Sequence, residues 1–249
     1  MKIKNILYLF CVFMISFSSL FPAKVGLLIV ATGKYDRFVD PLITSARTHF
    51  CSDHDVTYYV FTDGKISPAD DVVQIFQERL GWPKDTLLRN SIYNQHKDKF
   101  ASEDYVFALD ADMLFVDTVG SEILGKRVAT QHPGFVGKRG SYETDPRSLA
   151  CVKNDEGSQY FAGGFFGGSR REFCKIIAET TRRVLEDLSQ GIIAVWHDES
   201  HWNRYCIDFK PTVILNPSYC YPESWNLNYP KKLLALDKNH AEFQTQLEN

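Results

Sequence analysis

Apolar and polar positions along the chain fall into alternating patterns. Residues 25–31 form an unbroken apolar run, as a strand buried on both faces of a parallel sheet requires. Apolar residues then recur at helical spacing over 36–50, and 56–62 returns to the strand pattern before Asp63 and Gly64 mark a turn. Residues 72–76 predict a third strand, 84–100 a helix opening after Pro83, and 105–109 a fourth strand that runs straight into acidic residues. Further on come a glycine-rich stretch at 163–168, a helix over 170–188 and a short helix over 199–209. Strands alternating with helices predict an α/β fold: a Rossmann-like open sheet flanked by helices, in a single domain over 24–249. Ligands of such sheets gather at the carboxyl ends of the strands.

The first 23 residues stand apart. Lys2 and Lys4 precede an apolar run over 6–21, and Phe21-Pro22-Ala23 offers a small-residue cleavage site. The run is short for a spanning helix of about 20 apolar residues and long for the core of a cleaved signal. Residues 1–23 are therefore read as a signal peptide or signal anchor. That predicts either an exported protein or a single-pass, type II membrane-anchored one. A buried N-terminal helix fits less well, because nothing polar interrupts the run to mark a solvent face.

Composition narrows the partners. The 249 residues are 44% hydrophobic, enough for one sizeable core, and the 28 basic and 31 acidic residues are spread along the chain for a net charge of −3. No basic face for nucleic acid is present, and a neutral, polar substrate fits better. Aromatic residues, at 14%, supply flat apolar faces of the kind that stack on sugars or bases. Of six cysteines, Cys11 lies in the targeting segment, and the others form no CxxC, so two disulfides and buried free thiols are both open.

Three clusters carry candidate chemistry. Asp110-Ala111-Asp112 directly follows an apolar strand, which presents two carboxylates where a ligand would sit; hard cations such as Mn²⁺ or Mg²⁺ prefer such oxygens and keep positions open for phosphate. A phosphatase with Asp-x-Asp after its first strand would want Thr two places on, where Leu114 stands, and here the motif follows the fourth strand. In the second cluster, over 196–201, His197 and His201 are spaced to share one helix face, as in zinc proteases. Asp198, however, replaces the Glu that such an enzyme uses as its base. Asp198 and Glu199 would also suit a helix N-terminus without any function. The third cluster, over 163–168, lacks the lysine of a phosphate loop and the spacing of a dinucleotide fingerprint; its glycines fit a tight strand with a bulge, or a backbone that approaches a ligand closely.

Taken in order, these segments resemble glycosyltransferase family six, the family of the blood-group A and B transferases and the α-1,3-galactosyltransferase. The likeness covers nearly the whole chain after the targeting segment. It rests on 58–63, on Ala129-Thr130-Gln131-His132-Pro133-Gly134-Phe135, on 163–168, on 196–201, on Lys210-Pro211-Thr212 and on Lys238-Asn239-His240. The resemblance implies a GT-A fold with a mixed sheet, a UDP-sugar donor, a glycan acceptor such as a galactoside with or without fucose, Mn²⁺ (or Mg²⁺) as cofactor, and transfer of N-acetylgalactosamine or galactose in α-1,3 linkage with retention.

The same resemblance assigns residues. Asp110 and Asp112 match the metal-binding pair. Val30, Ala31, Thr32 and Tyr35 match the uridine-binding stretch, Ala111 and Arg89 lie with the donor, and Lys238 matches a lysine that reaches the diphosphate. Glu199 matches the central catalytic carboxylate, either as nucleophile or as stabiliser of an oxocarbenium-like centre. Asp198 and His132 match positions that orient sugars, Trp196 an apolar wall, and Ser141 the acceptor side. Ala162-Gly163-Gly164 matches the segment that discriminates donors, and its small side chains leave room for an acetamido group. Two departures stand out: the tail after His240 lacks an arginine found in mammalian members, and Tyr221-Pro222-Glu223 replaces their acceptor-side sequence. A binding protein with the family's fold but no turnover, and a zinc hydrolase built on His197 and His201, are the rival expectations.

Overall fold

The structure is a computed structural model that describes residues 22–239 and Glu242. The targeting run over 6–21, Cys11, His240 and most of the C-terminal tail lie outside the described residues. Strand β1 (Lys24–Val30) leads through a 3-10 turn at Gly33–Phe38 into helix α1 (Val39–His49), followed by β2 (Asp55–Thr62) and β3 (Val72–Phe76). Next come α2 (Lys84–Leu87), α3 (Arg89–Gln95), β4 (Tyr105–Asp110), β5 (Met113–Phe115), β6 (Val128–Gln131) and β7 (Phe161–Ser169). The chain continues with α4 (Arg170–Ser189), α5 (His197–Asp208), β8 (Val213–Leu215), β9 (Tyr221–Pro222) and β10 (Leu233–Ala235). Seven strands form one sheet in the order β3-β2-β1-β4-β7-β6-β8, and β5-β10-β9 form a small second sheet. The strands β3, β2, β1 and β4 are parallel and β7 runs against both neighbours, so the sheet is mixed, as a GT-A fold requires.

The apolar runs are strands because both faces of the sheet are covered. In β1, Val25, Leu27 and Ile29 enter one core with α1, while Leu28 enters the other with α3, α4 and α5. Helix α1 buries Val39, Leu42, Ile43 and Ala46, the one-face spacing read from the sequence. On the opposite layer Trp202 of α5 stacks on Phe166 of β7 with ring centroids 4.6 Å apart. At Gly167 a Cβ would meet the Val106 carbonyl at 2.3 Å, so a glycine is what lets β7 lie against β4.

Two helix expectations need correction. The pattern over 36–50 is one periodic stretch, but the α-helix starts only at Val39, after the 3-10 turn. The single helix expected over 84–100 is broken into α2, α3 and a 3-10 turn at Lys97–Phe100, with non-helical backbone at Leu88 and His96. The break at Leu88 is what turns Arg89 into the interior. All five described cysteines beyond the targeting segment are free, which settles that open choice for thiols.

Candidate active site

A cavity of about 450 Å³ opens at the carboxyl ends of β1 and β4, where the sheet predicts a ligand. Val30, Thr32, Tyr35, Arg89, Asp110, Ala111, Asp112, Trp196 and Lys238 line it; Ala31 lies buried beneath. Lys34, Arg79, Trp82 and His197 also line it, and the sequence reading had not assigned any of them to a donor or acceptor site. His197 holds a left-handed backbone (φ 51°) and packs edge-on against Trp82 at 5.4 Å, a conformation that a non-glycine residue adopts at a cost of about 1 kcal/mol.

One buried guanidinium organises the floor. Arg89, the first residue of α3, bonds Asp110 at the end of β4, donates to the Gly163 carbonyl of β7 at 2.9 Å and to Asp198 of α5 at 2.5 Å. Burial works against its charge, but Asp198 and Asp110 outweigh it and raise its pKa. Asp198 is itself only 4% exposed and is paired with Arg89.

Glu199 follows. Its Oε2 accepts the Gly163 N–H at 2.8 Å, and the Tyr160 hydroxyl approaches it without reaching hydrogen-bond geometry. Burial pushes this carboxyl up to about 7, although the Gly163 amide and Tyr160 pull the other way. The Gly163-Gly164-Phe165 stretch bulges from β6: Ala129 pairs with Phe166 and Thr130 with Ala162, so three residues of β7 face none on β6. The bulge brings the Gly163 amide to Glu199 and sets Gly164 beside the carboxylate of Asp110, where a Cβ would lie 3.2 Å from Oδ2.

The two carboxylates of the DxD motif are each matched to a cation, Asp110 to Arg89 and Asp112 to Lys238. Burial, and then the charge of Asp110, raise the pKa of Asp112. The ammonium of Lys238 also lies 5.0 Å from the Tyr35 ring centroid, which joins the two ends of the described chain across the cleft.

The remaining assigned residues gather at an aromatic cluster. His132 packs against Phe135 at 4.9 Å and Tyr160 at 5.7 Å, and its Nδ1 accepts the Gly134 N–H at 3.1 Å. The half-exposed Trp196 donates its indole N–H to Ser141 at 3.0 Å, and the neighbouring Tyr142 meets Tyr160 at 5.2 Å. Tyr160 thus links the His132 and Ser141 segments to Glu199, a role the sequence reading missed; its only signal was its place one residue ahead of β7. Cys220 was missed too, although its sulfur lies 3.3 Å from where a Cβ on Gly164 would stand.

His197 and His201 part company. His197 lines the cleft, whereas His201 is fully buried 3.7 Å from Asp187 with neither ring nitrogen hydrogen-bonded. Among the described residues no group of three or more His, Cys, Asp or Glu is arranged to hold a metal, and the helix-face pair read from the sequence is not a shared site.

With this geometry in view, sequence comparison identifies the family. The chain matches the profile of Glycosyltransferase family 6 over residues 16–245. It belongs to that family. It is 38% identical over 237 residues to the histo-blood group ABO system transferase 1 of Rattus norvegicus, covering 87% of this chain and 67% of that one. It is 35% identical over 242 residues to the globoside alpha-1,3-N-acetylgalactosaminyltransferase 1 of Gallus gallus, covering 88% and 68%. A bacterial relative, the O-antigen biosynthesis glycosyltransferase WbnI of Escherichia coli, is 28% identical over 222 residues, covering 86% of this chain and 94% of its own. The family 6 chain is accordingly a hexosyltransferase. No helix among its described residues is long and apolar enough to cross a membrane.

Proposed function

We propose that this family 6 transferase moves N-acetylgalactosamine, or galactose, from a UDP-sugar to a hydroxyl of a galactoside in α-1,3 linkage, with retention. The observation that carries the reading is the half-buried Glu199 carboxylate beside the Gly163 amide, three contacts from the DxD motif through Arg89 and Asp110. Retention calls for a carboxylate on the face of the sugar opposite the departing UDP, either to bond the anomeric carbon or to stabilise its positive charge. In this reading Glu199 fills that role, and Arg89 fixes it indirectly by holding Gly163 and Asp198.

The donor set fits a hard divalent cation. Asp110 and Asp112 offer carboxylate oxygens side by side, and both are already neutralised by cations in the chain, as a site built for positive charge would be. Mn²⁺ or Mg²⁺ held there would neutralise the charge gathering on UDP. Around it, Tyr35 and Thr32 would take the uridine and Lys238 the diphosphate. On the acceptor side, His132 and the Trp196–Ser141 pair would orient the galactoside, and the cluster around Tyr160 would exclude water from the reacting carbon. The similarity to a globoside alpha-1,3-N-acetylgalactosaminyltransferase supports the sugar and linkage. The small Ala162-Gly163-Gly164 segment favours the acetamido sugar. Lys2 and Lys4 ahead of an apolar run support a membrane-anchored, type II or exported placement.

The test is transfer of labelled sugar from UDP-N-acetylgalactosamine and UDP-galactose to galactosides with and without fucose, in Mn²⁺ or EDTA, comparing wild type with Glu199→Gln. Metal-dependent α-transfer that the variant loses supports the proposal. Binding of UDP with neither transfer nor hydrolysis would instead favour a glycan-binding role.

A further inference from the structure

Residues 136–160 cross from the 3-10 turn at Pro133–Phe135 to β7 without a helix or strand of their own, and they carry Ser141, the partner of Trp196. A stretch of that length keeps one shape only if its backbone amides find acceptors. Two buried carboxylates supply them. Asp187, near the end of α4, accepts the Ser148 hydroxyl at 2.5 Å and the Leu149 N–H at 2.9 Å. Glu143 holds the other side of the stretch. It is 8% exposed, and both of its oxygens accept backbone N–H groups: Oε1 those of Thr144 and Asp145, each at 2.7 Å, and Oε2 that of Val195, also at 2.7 Å.

The bond to Val195 spans 52 residues of chain and ends one residue before Trp196. The Trp196 N–H donates to the Ser200 hydroxyl at 3.0 Å and its carbonyl accepts the Glu199 N–H at 3.0 Å, so its backbone belongs to the first turn of α5. Its indole N–H returns to Ser141, two residues ahead of Glu143. A closed ring of contacts results, Glu143 to Val195 through the backbone and Trp196 to Ser141 through side chains. With 48% of Trp196 exposed, packing alone does little to fix the indole, and the ring of hydrogen bonds sets its direction. The donor half of the site is held separately: Arg89 pairs with Asp198, and Glu199 accepts the Gly163 N–H. Only a glutamate suits the clamp. An aspartate is one methylene short of spanning it, and a glutamine turns an NH₂ group towards one of the amides it must accept.

We infer that Glu143 is a positioning residue for the acceptor, holding Val195 so that Trp196 and Ser141 face the incoming sugar together. The inference rests on the acceptor-side reading of that pair and adds the residue that aims it. The experiment compares wild type, Glu143→Gln, Trp196→Phe and the double variant in transfer to methyl β-galactoside, UDP-sugar hydrolysis, melting temperature and methyl β-galactoside binding by NMR without donor. Glu143→Gln raises the acceptor KM about tenfold, the loss of one charge-assisted hydrogen bond, and leaves hydrolysis within about twofold of wild type. Trp196→Phe removes the N–H that reaches Ser141, so the double variant shows about the KM of the more impaired single variant. Glu143→Asp keeps both oxygens but not the reach; it gives the same split at about threefold and serves if Glu143→Gln fails to fold. Transfer and hydrolysis falling together, additive effects in the double variant, or no effect at all overturn the inference. If wild type transfers to no acceptor, the catalytic proposal fails by itself; weaker galactoside binding by Glu143→Gln in the NMR arm then still upholds the positioning role, and unchanged or absent binding overturns it.

Discussion

Arg89 and Asp198 meet at 2.5 Å in the interior, with side chains 8% and 5% exposed, and this pair fixes the start of α5 against the start of α3. Replacing one member of such a pair leaves the other charged and buried, which costs about 3–5 kcal/mol. Lysine could not substitute, since an ammonium lacks the planar fork that reaches Asp110, Gly163 and Asp198 together. Arg89→Met is expected to lower the melting temperature by roughly 10 °C and kcat by about a hundredfold. Adding Asp198→Asn removes the orphaned charge and should recover most of the stability but little of the rate. A single variant that melts within a degree or two of wild type would show that the pair braces nothing.

Glu199 predicts a stability profile with a definite sign. Its folded-state pKa is about 7 against 4.5 for the ordinary group, so between those values the folded chain holds a proton that the unfolded chain has lost. The wild type therefore loses stability as pH rises through that window and no more above it. Glu199→Gln carries no such proton, so its melting temperature should gain on wild type from about pH 4.5 to about pH 7 and then stay level. Activity should run the other way: on the proposed function the carboxylate acts ionised, so wild-type kcat/KM should rise through the same region, and the variant should lose about 10²- to 10³-fold in kcat. A constant gap in melting temperature from pH 5 to 8 would place the group in water rather than in the interior.

Much of this site is legible in the sequence. Strand patterns over 25–31 and 105–109, and the acidic pair directly after the second of these, locate the cleft because buried parallel strands leave a direct hydrophobic record. What failed to show was how separate segments meet. The pattern over 84–100 looks like one helix, since periodicity survives the break at Leu88 that swings Arg89 inward. His197 and His201 share helical spacing, but the left-handed backbone at His197 sends it to the cleft while His201 stays in the core. Tyr160 and Cys220 matter through contacts made across 18 or more residues of chain, which no local motif encodes.

Gly164 stands in a crowded corner beside Cys220. A Cβ on Gly164 would lie 3.2 Å from Asp110 Oδ2, 3.3 Å from Cys220 Sγ and 3.4 Å from Met113 Sδ, distances that force its neighbours to give way. Gly164→Ala is thus expected to shift the ratio of kcat/KM for UDP-N-acetylgalactosamine over UDP-galactose downward by about tenfold, within the range that pocket volume alone provides. Cys220→Ala makes room behind the new methyl, so the double variant should regain part of the ratio although Cys220→Ala alone changes it little. Paired donor competition measures this, and strictly additive effects would mean the two side chains do not share the space.

Lys238 and Asp112 frame the role of metal. In the chain alone the ammonium bonds the Asp112 carboxylate, the same oxygens a divalent cation would take, while its other neighbour is the Tyr35 ring. A divalent cation held by Asp112 would compete with the Lys238 ammonium, which on the proposed function would then meet the diphosphate. Two constants should therefore move in opposite directions in Lys238→Ala. Mn²⁺ without nucleotide binds about tenfold tighter, the equivalent of one charge-assisted hydrogen bond no longer competing, whereas UDP in saturating Mn²⁺ binds more weakly. Asp112→Asn should lose Mn²⁺ binding outright, and EDTA should reduce UDP affinity in wild type far more than in that variant. Calorimetric titration of Mn²⁺ and then of UDP reads both constants. If Lys238→Ala weakens both, the lysine is holding the carboxylates in place for the metal, and the exchange of partners described here does not occur.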